Sequence, residues 1–141
     1  MSQNIHVFRE CGIDMALDED EAKRILSHVL QDLGHSEFEI NIILFEDEAL
    51  REMKQDYFGQ DVYTDIISFN IDQDPLEGEL YISPERIRQN AEKFAQAADR
   101  EFARILIHGA CHLCGYDDIS DEDKQEMTAL ENRFLTQYYD K

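Results

Sequence analysis

The order in which strand and helix patterns follow one another constrains the fold of this chain most. Alternating apolar residues near positions 5–8 predict a first strand, and FEINIILF at residues 38–45 alternates and then runs apolar, as in a strand that becomes buried. Two further strands are predicted at residues 65–71 and 79–83, with the turn-rich sequence DQDPLEG between them. These last two strands are close enough along the chain to pair with each other.

Helical patterns fill the intervals and the C-terminal half. Helices are predicted at residues 17–34, at residues 46–59, from residue 84, from about residue 99, and at about residues 120–138. Asp18 is expected to cap the first helix, and Ser83 followed by proline is a favoured helix start. On the helix that begins at residue 84, we expect Ile87, Ala91 and Phe94 to face the core.

The whole order predicts a single α+β domain over residues 1–141, with a small mixed four-stranded sheet packed with about five helices. Strand–helix–strand units favour parallel pairing, whereas the close pair within residues 65–82 favours one antiparallel edge. A chain of 141 residues with 43% hydrophobic residues can bury one sizeable core but not two.

The chain is strongly acidic, with 32 acidic and 13 basic residues and a formal net charge of −19. Such a surface repels phosphate backbones at long range, so unspecific binding to nucleic acids or anionic membranes is not expected. RNA binding then needs a local site or a protein partner. The segment 84–107 is an exception, since its five basic and four acidic residues leave a balance of +1. A solvated, salt-bridged helix surface is the alternative interpretation of its arginines.

Nothing in the sequence indicates export or membrane insertion. No run of 18 apolar residues is present, and MSQNIHVFRE lacks a basic segment followed by an apolar one. Three cysteines make an odd count without a secreted disulfide framework. We therefore expect a cytoplasmic, reducing location and no membrane partner.

The segment HGACHLCGYDDIS, residues 108–120, has the pattern of a metal site. On a helix, His108 and His112 lie one turn apart on one face, which lets two imidazoles close on one cation. Gly115 can end the helix and turn the chain back, so that Asp118 can supply a third ligand. Two imidazoles, one carboxylate and an open fourth position describe a catalytic zinc site better than a structural one. The alternative is a pair of surface histidines whose positive form is favoured near a helix C-terminus.

The spacing also copies the ligand pattern of metzincin proteases, His-Glu-x2-His-x2-Gly-x2-His, and predicts a metzincin-like metal helix. In those proteases the glutamate beside the first histidine is the general base for peptide hydrolysis. Gly109 occupies that position here. The sequence therefore keeps the geometry of a metzincin site but argues against peptidase chemistry.

The sequence HGACHLCGYDD resembles the signature of the YbeY family of bacterial endoribonucleases, His-Gly-x-Leu-His-Leu-x-Gly-Tyr-Asp-His. YTDIISF at residues 63–69 and GELYIS at residues 78–83 resemble two further blocks of that family, so the resemblance covers nearly the whole chain. It implies a zinc-dependent endoribonuclease, specific for single strands and holding one zinc ion per chain. It further implies maturation of the 3′ end of small-subunit ribosomal RNA, a part in ribosome quality control, and the ribosomal small subunit as a partner.

Two positions depart from the family pattern. The third histidine ligand is replaced by Asp118, which leaves two histidines and one carboxylate, a set that suits zinc and also iron(II). A family arginine that contacts RNA phosphate or stabilises the transition state aligns with Phe58. The basic residues that can take its place are Arg51, Lys54, Arg86 and Arg88.

Other residues take candidate roles from their place in these motifs. The candidates for contacting the RNA are Thr64, Asp65, Arg86 and Arg88. Asp65 also fits a turn residue before a strand. Asp117, the nearest spare carboxylate, either orients a ligand imidazole during catalysis or caps the turn. Cys111 and Cys114 have the spacing of a redox or zinc pair, but buried thiols suit their place inside the helix better.

Three functions are therefore in competition. The first is the metal-dependent endoribonuclease. The second is a non-catalytic ribosome-assembly factor that keeps the fold as a docking module, because the missing arginine and the acidic surface suit basic ribosomal proteins. The third is a metallohydrolase acting on another substrate.

Overall fold

The computed structural model describes residues 2–139, and its strands and helices follow the predicted order. The strands are β1 (Gln3–Glu10), β2 (Phe38–Phe45), β3 (Ile66–Gln73) and β4 (Leu76–Ile82). The helices are α1 (Glu19–Asp32), α2 (Asp47–Phe58), α3 (Pro84–Lys93), α4 (Ala98–Leu113) and α5 (Asp121–Tyr139). The predicted α+β class, with a small mixed sheet and five helices, is thereby confirmed for these residues. Residues 1, 140 and 141 of the predicted domain lie outside the described residues.

The strands form one sheet in the order β1–β2–β4–β3. Both β1 and β4 pair with β2 in parallel, and β3 pairs with β4 antiparallel, so the predicted antiparallel edge is confirmed. The second strand–helix–strand unit, β2–α2–β3, does not form a parallel pair, because β4 rather than β3 lies next to β2. The exposed half of β3, with Asn70, Asp72 and Gln73, suits an edge strand and not the interior of a sheet.

The predicted helix starts are confirmed by their hydrogen bonds. The carboxylate of Asp18 accepts from the backbone N–H of Glu21, at the start of α1. The hydroxyl oxygen of Ser83 accepts from the backbone N–H of Arg86, at the start of α3. Each bond satisfies a backbone donor that the first turn of a helix leaves free. Within the described part of the chain, no helix has the length and apolar character needed to cross a membrane.

The C-terminal end of α3 differs from the prediction. Ile87 and Ala91 are buried as expected, but Phe94 is 62% exposed and is not a core residue. The helix ends at Lys93, and the following Ala95 has a φ of +54°. Because the chain turns away at this point, the Phe94 ring leaves the core-facing stripe and lies beside the Lys93 ammonium instead.

Helix α4 is the central helix of the domain and packs against α1, α3, α5 and the sheet. From Phe102 to Leu113 every residue is buried except Arg104, His108 and His112. These three are spaced four residues apart and form one stripe along the helix. Packing on all other sides therefore leaves one side of α4 open, and both predicted histidine ligands lie on it.

Gly109 lies where α4 comes closest to the sheet. A Cβ atom at this position would lie 2.8 Å from Cδ1 of Ile66 in β3 and 2.9 Å from Cδ2 of Leu80 in β4. Both distances are well below the ordinary separation of non-bonded carbon atoms, about 3.5–4.0 Å. The side chains of Ile66 and Leu80 thus occupy the space beside Gly109, where a metzincin has its glutamate, and a glutamate would not fit without displacing them.

Replacing Gly109 with alanine is expected to lower the free energy of unfolding by up to about 2 kcal/mol, because overpacking costs about 1–3 kcal/mol and the higher helix propensity of alanine returns about 1 kcal/mol. Gly12→Ala is the control, since a Cβ there would have no heavy atom within 4 Å. Urea unfolding followed by circular dichroism measures both variants. A Gly109→Ala protein more stable than the wild type by about 1 kcal/mol, the gain from helix propensity alone, would contradict the close packing of α4.

Candidate metal centre

The two histidines of α4 point their outer ring nitrogens at the same place. The Nε2 atoms of His108 and His112 are 3.1 Å apart, and the two rings meet edge to face. Each side chain is about one quarter exposed, so the rings are held by the protein yet reachable from solvent. The helical spacing predicted from the sequence therefore gives two convergent nitrogen donors.

The turn after α4 brings a third donor to this place. Gly115 has a φ of +95°, a left-handed conformation that favours glycine, and the backbone N–H of Tyr116 bonds back to the carbonyl of Cys111. The reversed chain places Oδ2 of Asp118 3.4 Å from the Nε2 atoms of both histidines. The predicted triad is thus assembled within eleven consecutive positions, residues 108–118.

The three donor atoms have the separations that a metal ion needs. They lie 3.1–3.4 Å from one another. A tetrahedral ion with bonds of about 2.0–2.1 Å would separate its ligand atoms by roughly 3.3–3.4 Å. Two imidazoles and one carboxylate also match the donor chemistry of zinc and iron(II). The cluster of His108, His112 and Asp118 can therefore hold a metal ion.

Glu131 of α5 contacts both His108 and Arg104 of α4, and the sequence motifs did not identify it. Its Oε2 lies 2.8 Å from Nδ1 of His108, and its Oε1 accepts from Nη1 of Arg104 at 3.2 Å. When Nδ1–H of His108 donates to this carboxylate, Nε2 is left as the acceptor that faces the other donors. One signal was available: Glu131 interrupts the buried stripe of α5, four residues after Met127 and three before Phe134.

The same contact controls protonation of His108. Burial lowers the pKa of this imidazole, but the hydrogen bond and charge of Glu131, together with Asp118 and Asp65, raise it above its usual value. Only the neutral imidazole is a metal ligand, so protons compete with a metal ion for His108. Metal affinity is therefore lost as the pH falls through this raised pKa.

A cleft of about 510 Å³ opens beside the three donors. Its lining residues are Lys54, Phe58, Thr64, Asp65, Ile66, Ile67, Ser68, Asn70, His108, His112, Leu113 and Asp118. The structure thus brings Thr64 and Asp65 to the donors. Burial raises the pKa of the Asp65 carboxyl, although the nearby His108 lowers it in part. The backbone carbonyl of Asp65 also accepts from the Ser83 N–H, so this residue both precedes β3 directly and lines the cleft.

Three other predicted residues do not line this cleft. Arg86 forms a two-point ion pair with the carboxylate of Asp47, with Nη2 and Oδ2 2.6 Å apart. Arg88 is exposed and donates to the backbone carbonyl of Asp14. Asp117 is exposed and, among the described residues, makes no hydrogen bond or ion pair, so Glu131 rather than Asp117 contacts a ligand imidazole.

The cation that reaches the cleft is Lys54. Its Nζ lies 4.8 Å from the centroid of the Phe58 ring, and both residues line the cleft. Arg51, one turn earlier on α2, is held by Asp61 at 2.7 Å and does not line the cleft. Of the four basic candidates, the structure therefore favours Lys54 as the group that faces a substrate beside the donors.

The cysteines of the motif are free thiols that contribute to packing. Cys111 is fully buried and Cys114 is half-buried. Burial raises the pKa of Cys111 to about 12 and that of Cys114 to about 11. Thiols this hard to ionise are poor nucleophiles and poor redox groups at neutral pH. The structure supports the interpretation of both as packing residues.

The fold and the donor set place this chain among small α+β proteins with a candidate metal centre on a buried helix. The model of the family described as Endoribonuclease YbeY matches residues 9–139, and the chain belongs to this family. The resemblance inferred from the sequence motifs is thereby confirmed.

Individual relatives agree over most of their length. A protein named Endoribonuclease YbeY from Flavobacterium psychrophilum is 40% identical over 115 residues, which cover 81% of this chain and 82% of that protein. One of the same name from Bacteroides thetaiotaomicron is 40% identical over 116 residues, covering 82% and 85%. The solution structure of a Thermotoga maritima protein matches with a TM-score of 0.70 at 26% identity, covering 95% of this chain and 88% of that one.

Replacing Glu131 with glutamine is expected to weaken zinc binding by about 10–100-fold, because His108 loses the carboxylate that orients and polarises it. Competition with a chelator at several pH values measures the affinity. The effect should be largest at high pH, where protons no longer compete for His108. Glu126→Gln, an equal loss of charge at an exposed position of α5, is the control. Equal zinc affinity in both variants would contradict the role of Glu131.

Cys111 is expected to resist alkylation in the folded protein at about pH 8, because only the thiolate reacts and burial keeps the thiol protonated. The half-buried Cys114 should react slowly, and both should react fully in urea. Mass spectrometry of the peptides locates and times each modification. Rapid labelling of Cys111 without denaturant would show that the helix opens or that the thiol is not buried.

Proposed function

We propose that this chain is a metal-dependent endoribonuclease that cuts single-stranded RNA. The observation that carries the proposal is the convergence of three donor atoms at 3.1–3.4 Å on the wall of an open cleft. Membership of the Endoribonuclease YbeY family supports the same activity, since its members carry that name. Zinc is the proposed metal, one ion per chain, with iron(II) as the alternative that the carboxylate ligand admits.

Each residue of the cleft has a distinct part in the proposed reaction. His108, His112 and Asp118 would hold the ion, which would act as a Lewis acid toward a phosphoryl oxygen and would lower the pKa of a water molecule. Glu131 keeps His108 in the orientation and tautomer that present Nε2 to the cleft.

The proposed acid–base group is Asp65, a carboxyl on the cleft wall whose pKa burial raises above its usual value. A carboxyl that titrates closer to neutral pH can exchange a proton with the attacking or leaving oxygen more effectively than an exposed one. Lys54, which also lines the cleft, is the proposed contact for the substrate phosphate.

The proposed substrate is the small-subunit ribosomal RNA, which the protein would cut near its 3′ end. A part in ribosome quality control belongs to the same proposal. With a net charge of −19, the chain is expected to approach RNA weakly on its own and to act with the small subunit or a basic ribosomal protein as partner. A cytoplasmic location is part of this proposal.

The second candidate is a non-catalytic ribosome-assembly factor, favoured by the acidic surface and by Phe58 at the family arginine position. This candidate predicts that the protein does not cut RNA, because a docking module needs neither the metal nor the acid–base group. Both candidates predict binding to ribosomal components, so binding alone does not separate them.

The zinc-loaded wild type is expected to cut a single-stranded RNA oligonucleotide, and His112→Ala to be slower by at least ~100-fold, because the loss of the metal removes several kcal/mol of transition-state stabilisation. His35→Ala, a histidine without a partner at ligand spacing, should keep wild-type activity. Denaturing gel electrophoresis measures the rates. Zinc-loaded wild type that leaves the RNA intact, or a His112→Ala protein that still cuts it, would favour the docking module.

A further inference from the structure

A row of five aromatic side chains runs across one face of the sheet and onto α2. The aromatic row consists of Phe45, Tyr57, Phe58, Phe69 and Tyr81. Within it, Tyr81 contacts Phe45 and Phe69, with ring centroids 5.1 and 5.7 Å apart. Phe69 in turn contacts Tyr57 at 5.3 Å and stacks on Phe58 at 6.2 Å. The rings therefore form one continuous surface rather than scattered exposed residues.

The outer end of the aromatic row is open to solvent. Tyr57 is 67% exposed and Phe58 is 48% exposed, although they are neighbours in the last turn of α2. The core does not use these rings, since the buried residues of α2 are Asp47 and Leu50. A contiguous apolar surface on so acidic a protein marks a binding site for a partner that the acidic charge does not repel.

The aromatic row reaches the candidate metal centre. Phe58, at the α2 end of the row, lines the cleft together with His108 and His112. The Lys54 ammonium lies over the Phe58 ring at 4.8 Å, and no carboxylate within residues 2–139 forms an ion pair with it. A lysine that forms no ion pair within residues 2–139 and two partly exposed rings therefore lie together, and Lys54 and Phe58 share the cleft with the three metal donors.

We propose that Tyr57 and Phe58 stack with nucleobases of a single-stranded RNA while Lys54 binds a phosphate of the same strand. The proposal rests on the proposed function and adds the residues that recognise the strand. Proteins that bind single strands combine a cation for the backbone with aromatic rings for successive bases. Stacking does not depend on net charge, so it gives affinity where the acidic surface opposes phosphate contacts. Paired bases inside a duplex have no free face to offer, so the same rings favour single strands.

The first test compares Phe58→Leu with the wild type, because leucine keeps the apolar bulk but lacks the ring face. The probe is a fluorescent single-stranded RNA of about ten nucleotides, within the span that such proteins cover, bound in the presence of a chelator so that it is not cut. A second probe has the same phosphates but abasic sugars. The variant should bind the intact RNA about 5–100-fold more weakly, and the abasic RNA as the wild type does.

Three further variants separate stacking from general damage. Phe58→Tyr should restore binding, since tyrosine keeps a ring face. Phe94→Leu removes another exposed phenylalanine that lies beside a lysine but does not line the cleft, and it should bind like the wild type. Lys54→Gln should weaken both probes equally and reduce the salt dependence of binding by about one charge.

The outcomes distinguish this proposal from the proposed function. Cleavage and binding that are unchanged in Phe58→Leu would overturn the stacking surface but leave the endoribonuclease in place. An equal loss on intact and abasic RNA would overturn it as well, since the defect would not involve the bases. A wild-type protein that neither binds nor cuts RNA would overturn both. Loss confined to the intact RNA, with recovery in Phe58→Tyr, would support the stacking surface.

Discussion

The close packing of α4 against the sheet is the contact on which the rest of the structure depends. At Gly109 only a hydrogen atom fits between the helix and the side chains of Ile66 and Leu80. Four residues later, Leu113 fits against Gly78 of β4, where a Cβ would lie 2.7 Å from the leucine Cδ2. Two glycines, one on each element, thus let the helix lie flat on the strands. Its remaining open side then has one orientation, and the histidines of that side face the cleft.

The carboxylate of Glu131 ties a second helix to the same centre. A buried acid is costly unless partners replace its hydration, and Glu131 has two, Arg104 and His108, both on the open stripe of α4. The contact between α4 and α5 is therefore polar at the point where it reaches the site and apolar elsewhere, through residues such as Met127 and Phe134. Displacement of α5 would change both the position and the protonation of His108.

Sequence reasoning was accurate where the information is local. The positions of His108, His112 and Asp118 follow from helical spacing and one glycine turn, so short-range geometry was sufficient. The element order and the antiparallel edge also followed from pattern and chain distance.

The contact between Glu131 and His108 was not obtained in this way, because it depends on which helix packs beside α4. Lys54 was one of four basic candidates, and choosing it required the position of α2 relative to the cleft. The same limit explains why Arg86 was expected at the substrate, although it is paired with Asp47. Pairing between distant parts of the chain decides these cases, and periodicity carries no information about it. Phe94 is a different, local case: it was expected in the core because the helical pattern was continued past Lys93, where α3 ends.

Because His108 and His112 lie on a helix that is held by packing, the domain does not need a metal ion in order to fold. In zinc fingers the ion replaces a hydrophobic core, and the chain unfolds without it. Here nine buried residues hold α4 in the core, and the two histidine donors lie on its one open side. The fold of the domain therefore does not require an ion at the donors. An ion bound there would add stability by mass action, but its loss would leave the packing of α4 in place.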